Sequence, residues 1–208
     1  MKTSFFYYIV TWLTIFCSGA IVVASCFYSW FVFSSAPKSV ETFYFVVEQT
    51  DNVEMTQSVI AMQGGAGYVF PSGEVALSVY SSYDTAQTVL DRVQKFHDAT
   101  YLLSMYIDAS LDDGKAFYVA LRCVEDTIER LEHGLTQNKA AYLLTDLGNW
   151  FFYYGMQAKG ATQVSAKAFG EELLRAAKGV IYVNELRYFL CKSIADCARE
   201  GEKIFLEG

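Results

Sequence analysis

The sequence predicts an α+β chain in three parts: an N-terminal transmembrane helix, a small βαββαβ domain and an all-α helical bundle. Three observations predict it. Residues 5–33 (FFYYIVTWLTIFCSGAIVVASCFYSWFVF) carry no charged side chain. Residues 42–107 switch between strand-like and helical patterning in the order strand, helix, strand, strand, helix, strand. From residue 114 onward the apolar positions recur at intervals of three and four. The boundaries are 1–37 for a short cytoplasmic tail and anchor, 38–113 for the α+β domain, and 114–208 for the bundle.

The anchor comes first. About 20 apolar residues in a helix cross a hydrocarbon core of roughly 30 Å, so residues 5–33 span it with tilt. Aromatic side chains crowd both ends, Phe5, Phe6, Tyr7, Tyr8 and Trp12 on one side and Phe27, Tyr28, Trp30, Phe31 and Phe33 on the other, as in interfacial belts. Two other readings compete. A cleaved signal peptide has a shorter apolar core, about 7–15 residues. A lipoprotein signal would use Cys26 after Val23-Ala24-Ser25, but would leave an apolar stub where a polar tether is usual. Lys2 precedes the segment, and positive residues stay cytoplasmic. The expected topology is single-pass, with residues 38–208 extracytoplasmic and membrane lipid as the first partner.

The α+β elements follow in order. Residues 42–48 (TFYFVVE) are aromatic and β-branched, a strand. Residues 52–63 place Val53, Val59, Ile60 and Met62 near helical spacing, with Asp51 as candidate N-cap. Gly64-Gly65-Ala66-Gly67 stops that helix. Residues 68–70 form a short strand, Pro71-Ser72-Gly73 a turn, and 74–80 (EVALSVY) a further strand. Residues 84–96 are the clearest helix, with Ala86, Val89, Leu90 and Val93 on one face. Residues 100–107 (TYLLSMYI) close the series as a strand.

In the tail, Phe117, Leu121, Val124, Ile128, Leu131 and Leu135 form a heptad-like stripe, with Asp112 or Asp113 as cap and Gly134 near the end. Residues 138–159 carry Leu144, Leu147, Phe151 and Tyr154 on one face. Gly160-Ala161-Thr162 breaks the pattern. Residues 163–203 read as one long helix or two around Gly179. No strand pattern is evident after 114. Burying the stripes against one another gives a bundle of three or four helices, and the stripe also suits a dimer seam or a protein partner. The run Trp150-Phe151-Phe152-Tyr153-Tyr154 surrounds its helix with rings, more than one buried face absorbs; burial inside the chain is the expected outcome, with a partner or the membrane surface as the other readings.

Charge and composition exclude several functions. The net charge is −7. Residues 38–113 hold three basic groups against eleven acidic ones, whereas 114–208 hold twelve of each. A nucleic-acid binder needs basic side chains to displace counterions from phosphates, so no nucleic-acid partner is expected. Two histidines and no Cys-x-x-Cys pair leave no zinc signature, and no cofactor is expected. The glycine-rich segment follows a helix and precedes a strand, the reverse of a phosphate cradle. Neither Gly-x-Ser-x-Gly nor His-Glu-x-x-His occurs, so the expectation is a non-enzyme with no catalytic residue and no metal ligand. Cys123, Cys191 and Cys197 read as small apolar residues on helices, with a bond from Cys123 to one of the others left open.

The stretches Phe43-Tyr44-Phe45-Val46-Val47-Glu48-Gln49, Gly64-Gly65-Ala66-Gly67-Tyr68-Val69 and Val75-Ala76-Leu77-Ser78-Val79-Tyr80-Ser81-Ser82-Tyr83-Asp84-Thr85-Ala86, in βαββαβ order behind one anchor, resemble the SPOR domain. This resemblance covers residues 42–108, about a third of the chain. It implies a ferredoxin-like sheet in a bacterial cell-envelope protein active in sporulation or cell division. It also implies binding of peptidoglycan glycan strands on the sheet face opposite the helices. The chain lacks the arginine that the family often carries at the start of its third strand.

Strand alternation divides the sheet side chains into two sets. Phe43, Phe45 and Val47, with Val75, Leu77 and Val79, are expected beneath the two helices. Tyr44, Val46 and Glu48, with Ala76, Ser78 and Tyr80, are expected to face away, joined by Leu102, Ser104 and Tyr106. Rings on an open face suit stacking against sugar C–H surfaces. Tyr44, Ser78, Tyr80 and Tyr106 are therefore the candidate glycan-binding residues. Two other readings stand beside this one: tyrosine favours strands in any case, and the C-terminal helices could cover the face.

Overall fold

Val40–Glu48 (β1), rich in aromatic and β-branched residues, is the middle strand of a five-stranded antiparallel sheet. The structure is a computed structural model describing residues 40–97, 99–108 and 112–204. The expected anchor over 1–37, with its orientation, lies outside them. Among the described residues no helix is long and apolar enough to cross a membrane. From Ser39 onward the chain forms one compact unit.

The expected βαββαβ order is present. β1 leads to α1 (Val53–Met62), β2 (Tyr68–Val69), β3 (Val75–Tyr80), α2 (Tyr83–Val93) and β4 (Thr100–Asp108). The strand order β2-β3-β1-β4, antiparallel throughout, is the split βαβ arrangement. Asn52, not Asp51, caps α1, its side chain accepting from the Met55 N–H at 3.2 Å. Ser82 caps α2 in the same way. After α1 the chain reverses through Gly64 and Gly67, whose φ angles are +87° and +62°, a region that only glycine enters without steric cost.

One strand was invisible in the sequence. Arg199–Ile204 (β5) pairs antiparallel with β4 and extends the sheet, correcting the expectation that residues after 114 are wholly helical. Its six residues, REGEKI, carry charges at four positions and no apolar alternation. Backbone pairing with the edge of β4 supplies what its own pattern lacks.

Four helices follow β4: α3 (Asp112–Glu132), α4 (Gln137–Gln157), α5 (Gly160–Lys178) and α6 (Val183–Cys197). The stretch left open as one helix or two is thus two, parted after Lys178. Gly134, at φ +96°, ends α3, and the Leu135 N–H returns to the Arg130 carbonyl at 2.8 Å, as at a glycine C-cap. The stripe on α3 is core: Phe117, Leu121, Val124 and Ile128 are buried, and Leu131 and Leu135 are packed against them.

The two faces of the sheet are covered the other way round from the sequence expectation. Phe43, Phe45 and Val47 do not lie beneath the βαβ helices. They join Leu103, Met105 and Ile107 in a core continuous with Phe117, Leu121, Leu144, Phe151, Leu186 and Ile194 of the C-terminal helices. The face carrying Val46 and Leu102 lies beneath α2, against Ala86 and Leu90, with Tyr44, Leu77 and Tyr80 around them. The physical reason is one of area. The C-terminal helices bring a broad apolar surface, which needs the more apolar sheet face, whereas α2 buries only Ala86 and Leu90. The register adds a second cause. An irregularity opposite Val46 and Val47 turns Leu77 toward α2 and Ala76 toward the larger core, exchanging the sides that strict alternation gave them.

The aromatic run on α4 is largely absorbed within the chain. Phe151 is buried against Phe117 and Phe169. Tyr154 stacks between Phe117 and Trp150, at centroid distances of 5.3 and 4.9 Å. Tyr153 remains 63% exposed.

Candidate functional site

Each sequence-derived candidate has a definite place. Tyr44 and Tyr80 sit opposite each other in register on β1 and β3. Tyr44 meets the Tyr83 ring edge-on at 5.3 Å, at the start of α2. Ser78 is buried. Tyr106 lies on β4, paired with Thr42 on one side and Arg199 of β5 on the other. The structure therefore brings Tyr44, Ser78 and Tyr80 together, but on the face that α2 covers, and an open stacking platform is not what they form.

Beside Tyr80 a polar cleft of 460 Å³ opens where α2, α3 and α6 approach the end of β3. β2 is only two residues long, so helices rather than a full strand flank β3 here. Glu125 of α3 reaches across, and both its carboxylate oxygens accept from the Ser81 N–H, at 3.0 and 3.1 Å. Arg187 of α6 donates to the Gly64 carbonyl and to the Glu132 carboxylate, each at 2.7 Å. Asn184 donates to the Ala61 carbonyl at 3.4 Å. These groups join the helical layer to the strand end and to the loop after α1. Asp84, Arg92 and Glu129 line the same cleft.

The electrostatics follow from burial. Burial pushes the Tyr80 phenol upward and holds the Glu125 carboxyl above its ordinary range, against the opposing pull of the Ser81 N–H. A raised carboxyl pKa means that the folded state binds a proton more readily than the unfolded chain does. Its contribution to stability is therefore full below the unfolded pKa and is lost as pH rises through the folded one. Glu125→Gln keeps an acceptor for Ser81 and removes the buried charge. It is expected to melt at or above the wild-type temperature at pH 7, with the difference shrinking as the solution is acidified through the folded pKa. Thermal unfolding at pH 7 and at a pH below the ordinary carboxyl range checks this; a variant that melts lower at pH 7 contradicts it.

Cys123, Cys191 and Cys197 are free thiols. Burial raises the pKa of both Cys191 and Cys197, which disfavours the nucleophilic thiolate. Among the described residues, no three His, Cys, Asp or Glu side chains gather closely enough to hold a metal ion.

A second opening has different chemistry. Between α3 and α4 lies a groove of 600 Å³, lined by Ala116, Val119, Ala120, Cys123, Leu147 and Trp150, with Lys115 and Asp146 at its margins. It faces outward. Val119 is 48% exposed, while the neighbouring positions Tyr118 and Ala120 turn into the core. Reasoning from sequence missed this surface because it followed the buried stripe of α3. The available signal was Ala116, Val119 and Cys123, spaced by three and four on the opposite face.

In comparisons with protein-family models, curated proteins and solved structures, nothing matches this chain.

Proposed function

We propose that this chain is a membrane-tethered, non-enzymatic assembly protein of the bacterial cell envelope, whose helical layer, rather than its sheet, makes the partner contacts. One observation carries the reading: helices pack on both faces of the sheet, while an apolar groove between α3 and α4 stays open to the outside. A docking surface of this kind matches the way exposed apolar grooves mark interaction sites.

The remaining parts rest on sequence. The uncharged run over residues 5–33 supports a single bilayer anchor, and Lys2 supports an outside location for the rest. The βαββαβ order and the strand order β2-β3-β1-β4 support a SPOR-like module at the level of topology. Glycan binding through Tyr44, Ser78 and Tyr80 would require α2 to leave the face it covers, so the assembly reading is preferred.

The test is retention on purified peptidoglycan glycan strands, with and without stem peptides, using the full chain in detergent. No retention on either is expected. Retention on strands lacking stem peptides, lost in Tyr44→Ala and Tyr80→Ala, would replace the assembly reading with a glycan-binding one.

A further inference from the structure

The groove between α3 and α4 carries a pattern of charge that specifies its occupant. Phe117 of α3 packs on Phe151 and stacks on Tyr154 of α4, so the start of α3 lies beside the end of α4. Asp146 precedes Phe151 by five residues and therefore sits level with the middle of α3, near Cys123, which lines the same groove. Lys115 is eight residues before Cys123. At about 1.5 Å per residue, the basic and acidic margins stand roughly 12 Å apart along the groove. Both side chains are exposed. No ion pair or hydrogen bond involves either one among the described residues. Between them lies an uncharged, apolar floor with Val119 midway.

We infer that a second copy of this chain docks in the groove, about a two-fold axis passing near Val119. A two-fold at that point reverses one groove against the other. It sets Lys115 of each protomer beside Asp146 of its partner, and the two Val119 side chains against each other at the centre. An isologous contact must be self-complementary in this way. Lys115 and Asp146 stand at roughly equal heights along the groove on either side of Val119, the arrangement that a two-fold at that point requires. Ala116 is small and exposed, which lets helices approach closely along the seam. Paired margins of opposite charge fix the register and suppress other alignments.

This rests on the assembly reading above and names its partner. The test uses the full chain in detergent, followed by sedimentation velocity over a dilution series. The wild-type protein is expected to run as a dimer that dissociates on dilution. Lys115→Glu faces Asp146 with a like charge at two symmetric places and is expected to weaken dimerisation at least about tenfold. Asp146→Lys should act alike, and the double exchange, Lys115→Glu with Asp146→Lys, should restore the dimer. Val119→Arg should abolish it. All these positions are exposed, and circular dichroism of each variant confirms that folding is kept. A wild-type monomer at every concentration overturns the inference. So does a dimer indifferent to Val119→Arg, or a double exchange no better than either single change. Any of these results combined with no glycan retention leaves the assembly reading standing and removes only the self-association, whereas glycan retention removes the assembly reading itself.

Discussion

Gly170→Val is expected to lower the urea midpoint of unfolding sharply, at a cost of about 3 kcal/mol or more, the upper end of the range for overpacked cores. The reason is where α4 meets α5. A Cβ on Gly170 would stand 2.6 Å from the Phe152 backbone nitrogen and 2.7 Å from the Gly148 carbonyl oxygen. From the facing side, a Cβ on Gly155 would lie 2.7 Å from the Lys167 backbone nitrogen. These obstacles are main chain, which cannot rotate aside. The two helices touch backbone to backbone through Gly148, Gly155 and Gly170, and a side chain at any of them must push the pair apart. The sign of a smaller change is equally informative. Glycine to alanine inside an ordinary helix stabilises by roughly 0.5–1 kcal/mol, yet Gly170→Ala is expected to destabilise. Gly179→Ala serves as control: the nearest atom to its Cβ is the Arg175 carbonyl oxygen at 4.0 Å, and an effect within about 0.5 kcal/mol is expected. Urea titrations with unchanged slope m measure all three. A Gly170→Val midpoint equal to wild type would contradict the close approach.

Phe43→Ala is expected to cost about 3–5 kcal/mol, the usual range for a buried phenylalanine, and to weaken strands and helices together. Phe43 is wholly buried on the face of β1 that the helices cover, with its ring 5.2 Å from that of Tyr118 on α3. Its removal leaves a void lined by both layers. Unfolding followed through Trp150 fluorescence, with Trp12 and Trp30 replaced by phenylalanine, and through far-ultraviolet circular dichroism should give coincident curves, shifted alike by the substitution. Curves that separate, with the helical layer melting at its wild-type midpoint, would show that the sheet and the helices are not coupled through this residue. The same reasoning bears on residues 38–113 taken alone: Phe43, Phe45, Leu103 and Met105 would then stand in water.

The order of the elements was legible in the sequence because each period is local. Residues 42–48 and 74–80 alternate, 84–93 repeat at helical spacing, and glycines or a proline part them. What covers each sheet face was not legible, because that is settled by elements far away in the chain. Tyr44 and Tyr80 were rightly placed on one face, as their register pairing shows. Whether solvent or a helix lay above them depended on how much apolar surface 112–197 would bring. The exchange of Ala76 and Leu77 between faces depended on one irregular pairing at Val46 and Val47, which no pattern in β3 announces. The glycine contact was hidden for a related reason. Gly148, Gly155 and Gly170 read in isolation as weak points of helices, and only the facing helix shows that their missing side chains are what lets it approach. β5 carries no apolar periodicity at all. The groove residues Lys115, Val119 and Asp146 were each unremarkable alone, and became informative once α3 and α4 were set side by side.

The central claim is that the sheet and the C-terminal helices share one core, leaving the outward side of the helices as the binding surface. Native-state hydrogen exchange on the intact chain tests it most directly, since amides that open only with global unfolding report a common free energy. The prediction is that β1 amides at Phe43, Phe45 and Val47 and α3 amides at Leu121 and Val124 exchange with the same opening free energy, and respond equally to denaturant. Exchange of the α3 amides through an opening several kcal/mol easier than that of β1 would contradict the account, because the helices would then come away and leave the sheet folded without them.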